Sequence, residues 1–120
     1  MTRAADRELE LIVGDNSPFT MELFDDADAP EDLSAATRAR LVVDTKPNSG
    51  TPLLDLQTGA ELTINVASNT IDAQMTTGQA GSLVVGKYIS QLAVEFGAGN
   101  WKHTDPFYTV VQPAVSAILP

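Results

Sequence analysis

The chain has 120 residues, a mass of 12.7 kDa, no cysteine and a formal net charge of −9. This length fits a single domain spanning 1–120, and the lack of cysteine excludes disulfides, thiol nucleophiles and thiolate metal sites. The negative charge disfavours binding to nucleic acid and to anionic membrane surfaces.

The acidic residues concentrate in the N-terminal part of the chain. Residues 1–32 hold ten of the sixteen acids but two of the seven bases. Such a segment forms either a solvated acidic face or a docking face for a basic neighbour, and both interpretations stay open.

The opening MTRAADRELE lacks the apolar stretch of a secretory signal, and no apolar run approaches the roughly 18 residues of a membrane helix. We therefore expect a protein that folds in the cytoplasm without export.

Apolar and polar residues alternate along most of the chain, which is the period of a half-buried β-strand. In the segment 37–43, for example, Ala39, Leu41 and Val43 alternate with Arg38 and Arg40. Clusters of Gly, Pro, Asn and Asp separate these runs and indicate turns. In chain order the pattern predicts strands at 7–13, 19–24, 37–43, 53–56, 61–66, 70–75, 88–96 and 107–112. Because no helix of crossover length lies between them, we expect an antiparallel two-sheet sandwich.

One short helix and one tyrosine stand before the longest predicted strand. The segment 76–83, TTGQAGSL, predicts a single helical turn with Thr76 or Thr77 as its N-cap. Tyr88 follows at the head of the next strand. Its position fits a tyrosine corner, in which the phenol hydrogen-bonds to the preceding connection, and it fits an ordinary core tyrosine equally well.

The sequence shows no group of residues with the chemistry of an enzyme. His103 is the only histidine, and it lies near the start of the last predicted strand, where a surface position is expected. No nucleophile elbow, zinc-protease motif or phosphate-binding loop is present. We therefore expect no enzymatic activity, no catalytic residues and no cofactor-binding residues.

Carboxylates cluster in the loop DDADAPED at 25–32. Asp26 and Asp28 have the i, i+2 spacing of calcium loops, but the glycine and the glutamate that an EF-hand needs further on are missing. We interpret the loop as an acidic hairpin tip and expect no metal site. An aromatic content of 6% with a single Trp also offers little platform for a sugar.

The order of these segments resembles a known family. The matching pieces are Val13-Gly14-Asp15, the run 19–23, Asp32-Leu33-Ser34-Ala35-Ala36, the run 38–43, Leu53-Leu54-Asp55-Leu56, Ile71-Asp72-Ala73, Leu83 with Gly86-Lys87-Tyr88, the run 107–111 and Gln112-Pro113-Ala114-Val115. Over nearly the whole chain they resemble the immunoglobulin-like domains of phage virions, typified by the N-terminal domain of siphophage baseplate upper proteins. The resemblance implies an all-β, immunoglobulin-like antiparallel β-sandwich of about seven to eight strands.

The resemblance also implies a function. It points to a non-enzymatic bacteriophage virion structural protein, namely a tail, baseplate or fibre-attachment adaptor. A head (capsid) decoration protein and a receptor- or glycan-binding module are the alternatives. The expected partners are other virion proteins in multiple symmetric copies, with no nucleic acid, membrane or small-molecule substrate, assembled in the bacterial host cytoplasm. Segments 1–6 and 114–120 are expected to act as terminal contact arms, with Ile118 and Leu119 as apolar contact groups.

Overall fold

Eleven strands and one short helix form the part of the chain that the structure, a computed structural model, describes: residues 3–4, 8–24, 29–46 and 49–113. In chain order they are β1 (Arg3–Ala4), β2 (Glu8–Ile12), β3 (Phe19–Met21), β4 (Leu23–Phe24), β5 (Ala36–Asp44), β6 (Leu54–Gln57), β7 (Leu62–Asn65), β8 (Thr70–Ala73), α1 (Thr77–Gly81), β9 (Gly86–Phe96), β10 (Trp101–His103) and β11 (Phe107–Gln112). Strands dominate, as the alternating pattern predicts.

The strands form two main sheets. The large sheet has the order β2-β11-β9-β5-β6, and β10 pairs with the second half of β9, while β11 pairs with the first half. The small sheet has the order β3-β8-β7, and β1 pairs with β4. Three strands of the large sheet, β5, β9 and β11, and three of the small sheet, β3, β8 and β7, follow the strand order of immunoglobulin domains. The fold is an all-β, immunoglobulin-like sandwich, which confirms the predicted class.

One layer of apolar side chains fills the space between the sheets. Leu41 of β5 and Leu92 of β9 stand opposite each other in the large sheet and are fully buried. Ile71 of β8 in the small sheet is fully buried as well. Among the described residues, every buried side-chain nitrogen or oxygen has a hydrogen-bond partner. The interior is therefore packed without an unsatisfied side-chain polar group in that part of the chain.

Two features of the pairing differ from the prediction. The segment predicted as one strand at 19–24 forms two strands, since β3 pairs with β8 and β4 pairs with β1. β2 runs parallel to β11, whereas antiparallel pairing was expected throughout. Alternation shows which side chains of a strand face inward, but it does not show which neighbour the strand joins. Tertiary packing makes that choice.

The predicted terminal arms are described only in part. Arg3–Ala4 falls inside the predicted arm 1–6, yet it forms β1 and pairs with Phe24 and Leu23. These two residues belong to the fold. The rest of that arm and the whole of 114–120, with Ile118 and Leu119, lie outside the described residues.

A capped helical turn and a tyrosine connect the small sheet to the large sheet. The Thr76 hydroxyl oxygen accepts a hydrogen bond from the Gln79 backbone N–H at 3.1 Å, and the Gln79 side-chain oxygen accepts one from the Thr76 N–H at 2.9 Å. This reciprocal pair is a capping box. The hydroxyl of buried Tyr88 then donates to the Val84 carbonyl oxygen at 2.6 Å. Tyr88 is therefore a tyrosine corner, and it fixes the connection between the two sheets.

Candidate interaction face

The outer surface of the large sheet, which we call the contact face, is formed by every second residue of its strands. The cross-strand register arranges these side chains in rows. They are Glu8, Glu10 and Ile12 of β2, Arg38, Arg40 and Val42 of β5, Asp55 and Gln57 of β6, Lys87, Ile89, Gln91, Ala93 and Glu95 of β9, Trp101 and His103 of β10, and Tyr108, Val110 and Gln112 of β11. The alternate residues, such as Leu41 and Leu92, point into the core and are buried.

The first row joins Trp101, Glu95 and Arg38. A β-bulge in β5 places both Thr37 and Arg38 next to Glu95. Arg38 binds the Glu95 carboxylate with two bonds, Nε to Oε1 at 2.8 Å and Nη2 to Oε2 at 3.0 Å. The Gly99 N–H donates to Oε2 at 2.9 Å, and the Thr37 hydroxyl donates to Oε1 at 3.1 Å. Arg38 Cζ also lies 5.2 Å from the centroid of the Trp101 ring, so the guanidinium covers the indole.

These bonds keep Glu95 ionised. The hydrogen bond from Arg38 is the largest cause that lowers the pKa of Glu95 from 4.5 to about 2, and the Gly99 N–H comes next. The same contact raises the pKa of Arg38. Both groups are therefore charged near neutral pH, and the pair ties the β9–β10 hairpin to β5.

The second row contains Arg40, whose carboxylate partner lies diagonally across in the neighbouring row of Val42. Arg40 binds Asp55 of β6 through Nε to Oδ1 at 2.8 Å and Nη2 to Oδ2 at 2.6 Å. The hydrogen bond from Arg40 is the main cause of the lowered pKa of Asp55. Ala93, between Arg40 and His103, is the smallest side chain in this row. The Arg38 and Arg40 side chains remain 61% and 49% exposed, so each guanidinium keeps a solvent-facing side.

The other half of the contact face is aromatic and aliphatic. Tyr108 is 51% exposed and stands opposite Ile89 in the register. The Lys87 ammonium lies 4.2 Å from the centroid of the Tyr108 ring, a cation–π distance. Val42 and Val110 are half-buried nearby on β5 and β11. This half therefore offers apolar surface that water still reaches.

Acidic side chains mark the β2 edge of the contact face. Glu8 stands opposite Tyr108 and Glu10 opposite Val110, and both glutamates are exposed. Charges on an edge strand discourage the addition of a further strand from another molecule. Another molecule would therefore contact this edge through its side chains and not by adding a strand to the sheet.

The outer surface of the small sheet has different chemistry. Thr20 of β3, Asp72 of β8 and Thr63 of β7 form its central row. Asp72 accepts hydrogen bonds from the Thr70 hydroxyl at 2.8 Å and from the Asn65 amide at 3.3 Å. The outward positions of these three strands carry no aromatic and no basic side chain. This surface is polar and acidic.

The residues that the sequence singled out as possible reactive groups are not brought together. His103 is exposed on β10, a strand that the sequence did not predict, and its imidazole makes no hydrogen bond to a described residue. Asp26 and Asp28 lie outside the described residues. Within the described ranges no group of three His, Cys, Asp or Glu side chains could hold a metal ion. The expected lack of catalytic, cofactor-binding and metal-binding residues stays a prediction.

Sequence reasoning missed the row of Trp101, Glu95 and Arg38. One local signal was available in the sequence, because the two glycines of GAGN at 97–100 favour a tight turn, and both have positive φ in the structure. A tight turn directly after a long strand predicts a hairpin, which pairs Trp101 with Glu95. The position of Arg38 had no such signal, since it depends on pairing between β5 and β9.

A shallow depression lies between the start of β5 and β7. Its volume is about 310 Å³, and its lining includes Thr37, Thr58, Leu62, Thr63, Ile64 and Val66. Hydroxyl and aliphatic groups line it, without an ionisable side chain among them.

No helix in the described residues is long and apolar enough to cross a bilayer.

Comparison with known proteins identifies the fold alone. No family model matches the chain. No curated protein matches it either. Among 149 matching chains of solved structures, one belongs to the structure described as "Structural basis of T cell specificity and activation by the bacterial superantigen toxic shock syndrome toxin-1". It aligns with a TM-score of 0.53 at 11% identity, over 93% of this chain and 98% of that chain. A likeness at this identity shows a shared arrangement of strands and carries no function with it.

Proposed function

We propose that this chain is a non-enzymatic structural protein of a bacteriophage particle, held by neighbouring virion proteins through its contact face. The observation that carries the proposal is the presence of Trp101, Tyr108, Arg38 and Arg40 on one outer surface. Trp, Tyr and Arg are the residue types that contribute most to the free energy of protein–protein binding. The phage setting is supported by the ordered resemblance of the sequence segments.

The state of the charged groups supports a role in assembly. Glu95 and Asp55 are each held by two bonds from an arginine, and both have a lowered pKa. Such carboxylates stay ionised at neutral pH and are already hydrogen-bonded, so they are poor general acids and bases. They hold a rigid surface in place, which reduces the entropy lost on binding.

The position in the particle follows from the resemblance as a proposal. An adaptor of the tail, baseplate or fibre attachment is the first candidate, with several symmetric copies around the tail axis. A decoration protein on the capsid surface is the second. Both roles use a small domain with an exposed contact surface, and neither needs a nucleic acid, a membrane or a small-molecule substrate.

Labelling of phage particles tests the proposal. Particles are purified from cells that carry the gene, labelled with gold-conjugated antibodies raised against the purified domain, and imaged by electron microscopy. The same particles are analysed by quantitative mass spectrometry. Particles from a strain with the gene deleted provide the control. We expect the chain in particles at a fixed multiple of the tail or capsid proteins, because virion proteins have defined copy numbers.

The outcomes separate the two positions. Gold at the tail tip or baseplate supports the adaptor, and gold spread over the capsid supports decoration. Absence of the chain from purified particles, together with its presence in the cell lysate, overturns the virion role. Binding of the free domain to host cells or to glycans, without incorporation into particles, supports the receptor-binding alternative instead.

A further inference from the structure

We infer that the contact face binds a second copy of this chain, forming a two-fold symmetric dimer. This inference rests on the proposed function, because it uses the same contact face. It names a second copy of the chain as the partner that binds there. The two ends of the face carry different groups, namely exposed carboxylates at one end and, at the other, guanidinium groups that are each paired with a carboxylate of the same face. Glu8 and Glu10 occupy the β2 edge, whereas Arg38 and Arg40 project from β5.

The register places these two groups at diagonal corners of the contact face. Glu8 lies in the row of Ile89, and Arg40 lies in the row of Ala93, four residues further along β9 and three strands away. Strand spacing and rise put the centres of the two groups about 25 Å apart. A two-fold axis in the plane of the face, passing near Gln91, brings the glutamates of one copy opposite the arginines of the other. One face therefore carries exposed carboxylates at one end and unused guanidinium N–H donors at the other, and a two-fold dimer forms this pairing twice.

The same axis pairs the apolar side chains. It places Ile89 of one copy against Val42 of the other, and it places Tyr108 over the second copy's Arg40. All three apolar or aromatic groups keep exposed surface in the single chain, since Tyr108 is 51% exposed and Ile89 and Val42 are half-buried. Association therefore removes apolar surface from water at the centre and pairs charges at the rim, the usual anatomy of an interface.

The internal ion pairs of the arginines do not prevent the contact. A guanidinium has five N–H donors, and each arginine uses two nitrogens, Nε and Nη2, on its own partner carboxylate. The remaining donors lie on the exposed side, because the Arg38 and Arg40 side chains are 61% and 49% exposed. Glu95 and Asp55 already fix both arginines, so little side-chain entropy is lost when a second carboxylate binds.

The available area is sufficient for a weak to moderate dimer. Five strands span about 19 Å, and nine residues along β9 span about 27 Å, giving a footprint of about 500 Å² per copy. Two copies then bury about 1,000 Å², which is near the lower limit for specific interfaces. The outer surface of the small sheet could not replace it, because its outward strand positions carry an acid and no base and would repel a copy of themselves.

Sedimentation equilibrium of the full chain with Glu8→Lys and Glu10→Lys together tests the dimer. We expect the wild type to dimerise, with weaker association at high salt because surface charge pairs are screened. The double variant places lysines against arginines, and the dissociation constant rises at least about tenfold. The matched control is Glu22→Lys with Glu61→Lys, which changes the net charge equally at exposed or half-exposed positions that lie outside the contact face. Its dissociation constant stays at the wild-type value.

A second variant tests the direction of the charge pairing. Arg40→Glu with Asp55→Lys reverses the internal ion pair and keeps it formed, so the folded sheet is retained; circular dichroism checks this. Mixed with the Glu8→Lys, Glu10→Lys chain, it forms a mixed dimer more tightly than that chain forms a dimer with itself. A wild-type chain that stays monomeric, or a control that dissociates as much as the test variant, overturns the inference. A monomeric chain that is nevertheless found in particles leaves the virion role standing.

Discussion

The outer surfaces of the two sheets are produced by the same alternation of side chains but expose different groups. The contact face presents Trp101, Tyr108 and two arginines held in bidentate ion pairs. The small sheet presents threonines and Asp72, whose oxygens are bonded within its own surface. Since both sheets bury comparable inner residues, the difference does not arise from the needs of folding. The outward-facing half of the strand pattern, and not the core, therefore distinguishes the two surfaces.

Both outer surfaces belong to sheets that share one interior. Truncation of core side chains tests this, and it should cause the largest loss of stability of the variants considered. Ile71→Ala in the small sheet and Leu92→Ala in the large sheet each remove a fully buried side chain. Each should lower the free energy of unfolding by about 2–5 kcal/mol, measured by urea denaturation, whereas Ile71→Val should cost about 0.5–1.5 kcal/mol. If one alanine variant were almost as stable as the wild type, the two sheets would not form one cooperative unit.

A smaller loss of stability is expected for Glu95→Gln, which removes a charge from the contact face of the large sheet. The folded-state pKa of Glu95 is depressed to about 2 from 4.5, so its charge stabilises the fold above pH 4.5 and the contribution is lost as the pH falls toward 2. The variant should therefore have a lower Tm than the wild type at pH 7, and the difference should shrink as the pH falls below 4.5. Glu22→Gln, which removes a carboxylate at an exposed position between β3 and β4, is the matched control. A difference that stays constant with pH would assign the loss to packing and not to charge.

The smallest effect is expected on the outer surface of the small sheet. Thr20→Val and Thr63→Val keep the branched shape of exposed side chains in β3 and β7. Each should change the free energy of unfolding by less than about 0.5 kcal/mol and leave the sedimentation behaviour unchanged. A clear loss of self-association in either variant would mean that the two outer surfaces had been assigned the wrong way round.

The sequence predicted the elements that depend on local pattern. Alternation in 37–43 and 107–112 matches β5 and β11 within one residue at each end, and the helical turn after Thr76 begins where its cap predicts. The tyrosine corner at Tyr88 could be predicted because its hydrogen bond joins residues only four positions apart in the sequence. In each case the groups that stabilise the element are close in sequence.

What the sequence could not show depends on contacts between distant residues. Arg38 and Glu95 are 57 residues apart and meet because a bulge and the β5–β9 register bring them together. The parallel pairing of β2 with β11 joins residues about 100 positions apart, and no periodicity encodes that choice. β10 was missed because three residues are too few to display alternation. The contact face consists of such long-range pairings, so it emerged only with the fold.

The parallel alignment of β2 and β11 has a mechanical consequence. A pull on the chain before Glu8 and a pull on the chain after Gln112 act in opposite directions along two adjacent strands. The backbone hydrogen bonds across the five paired positions are then loaded in shear and share the force simultaneously. They cannot open one after another, as they would in a hairpin pulled at its ends. The domain is thus built to resist tension along its length.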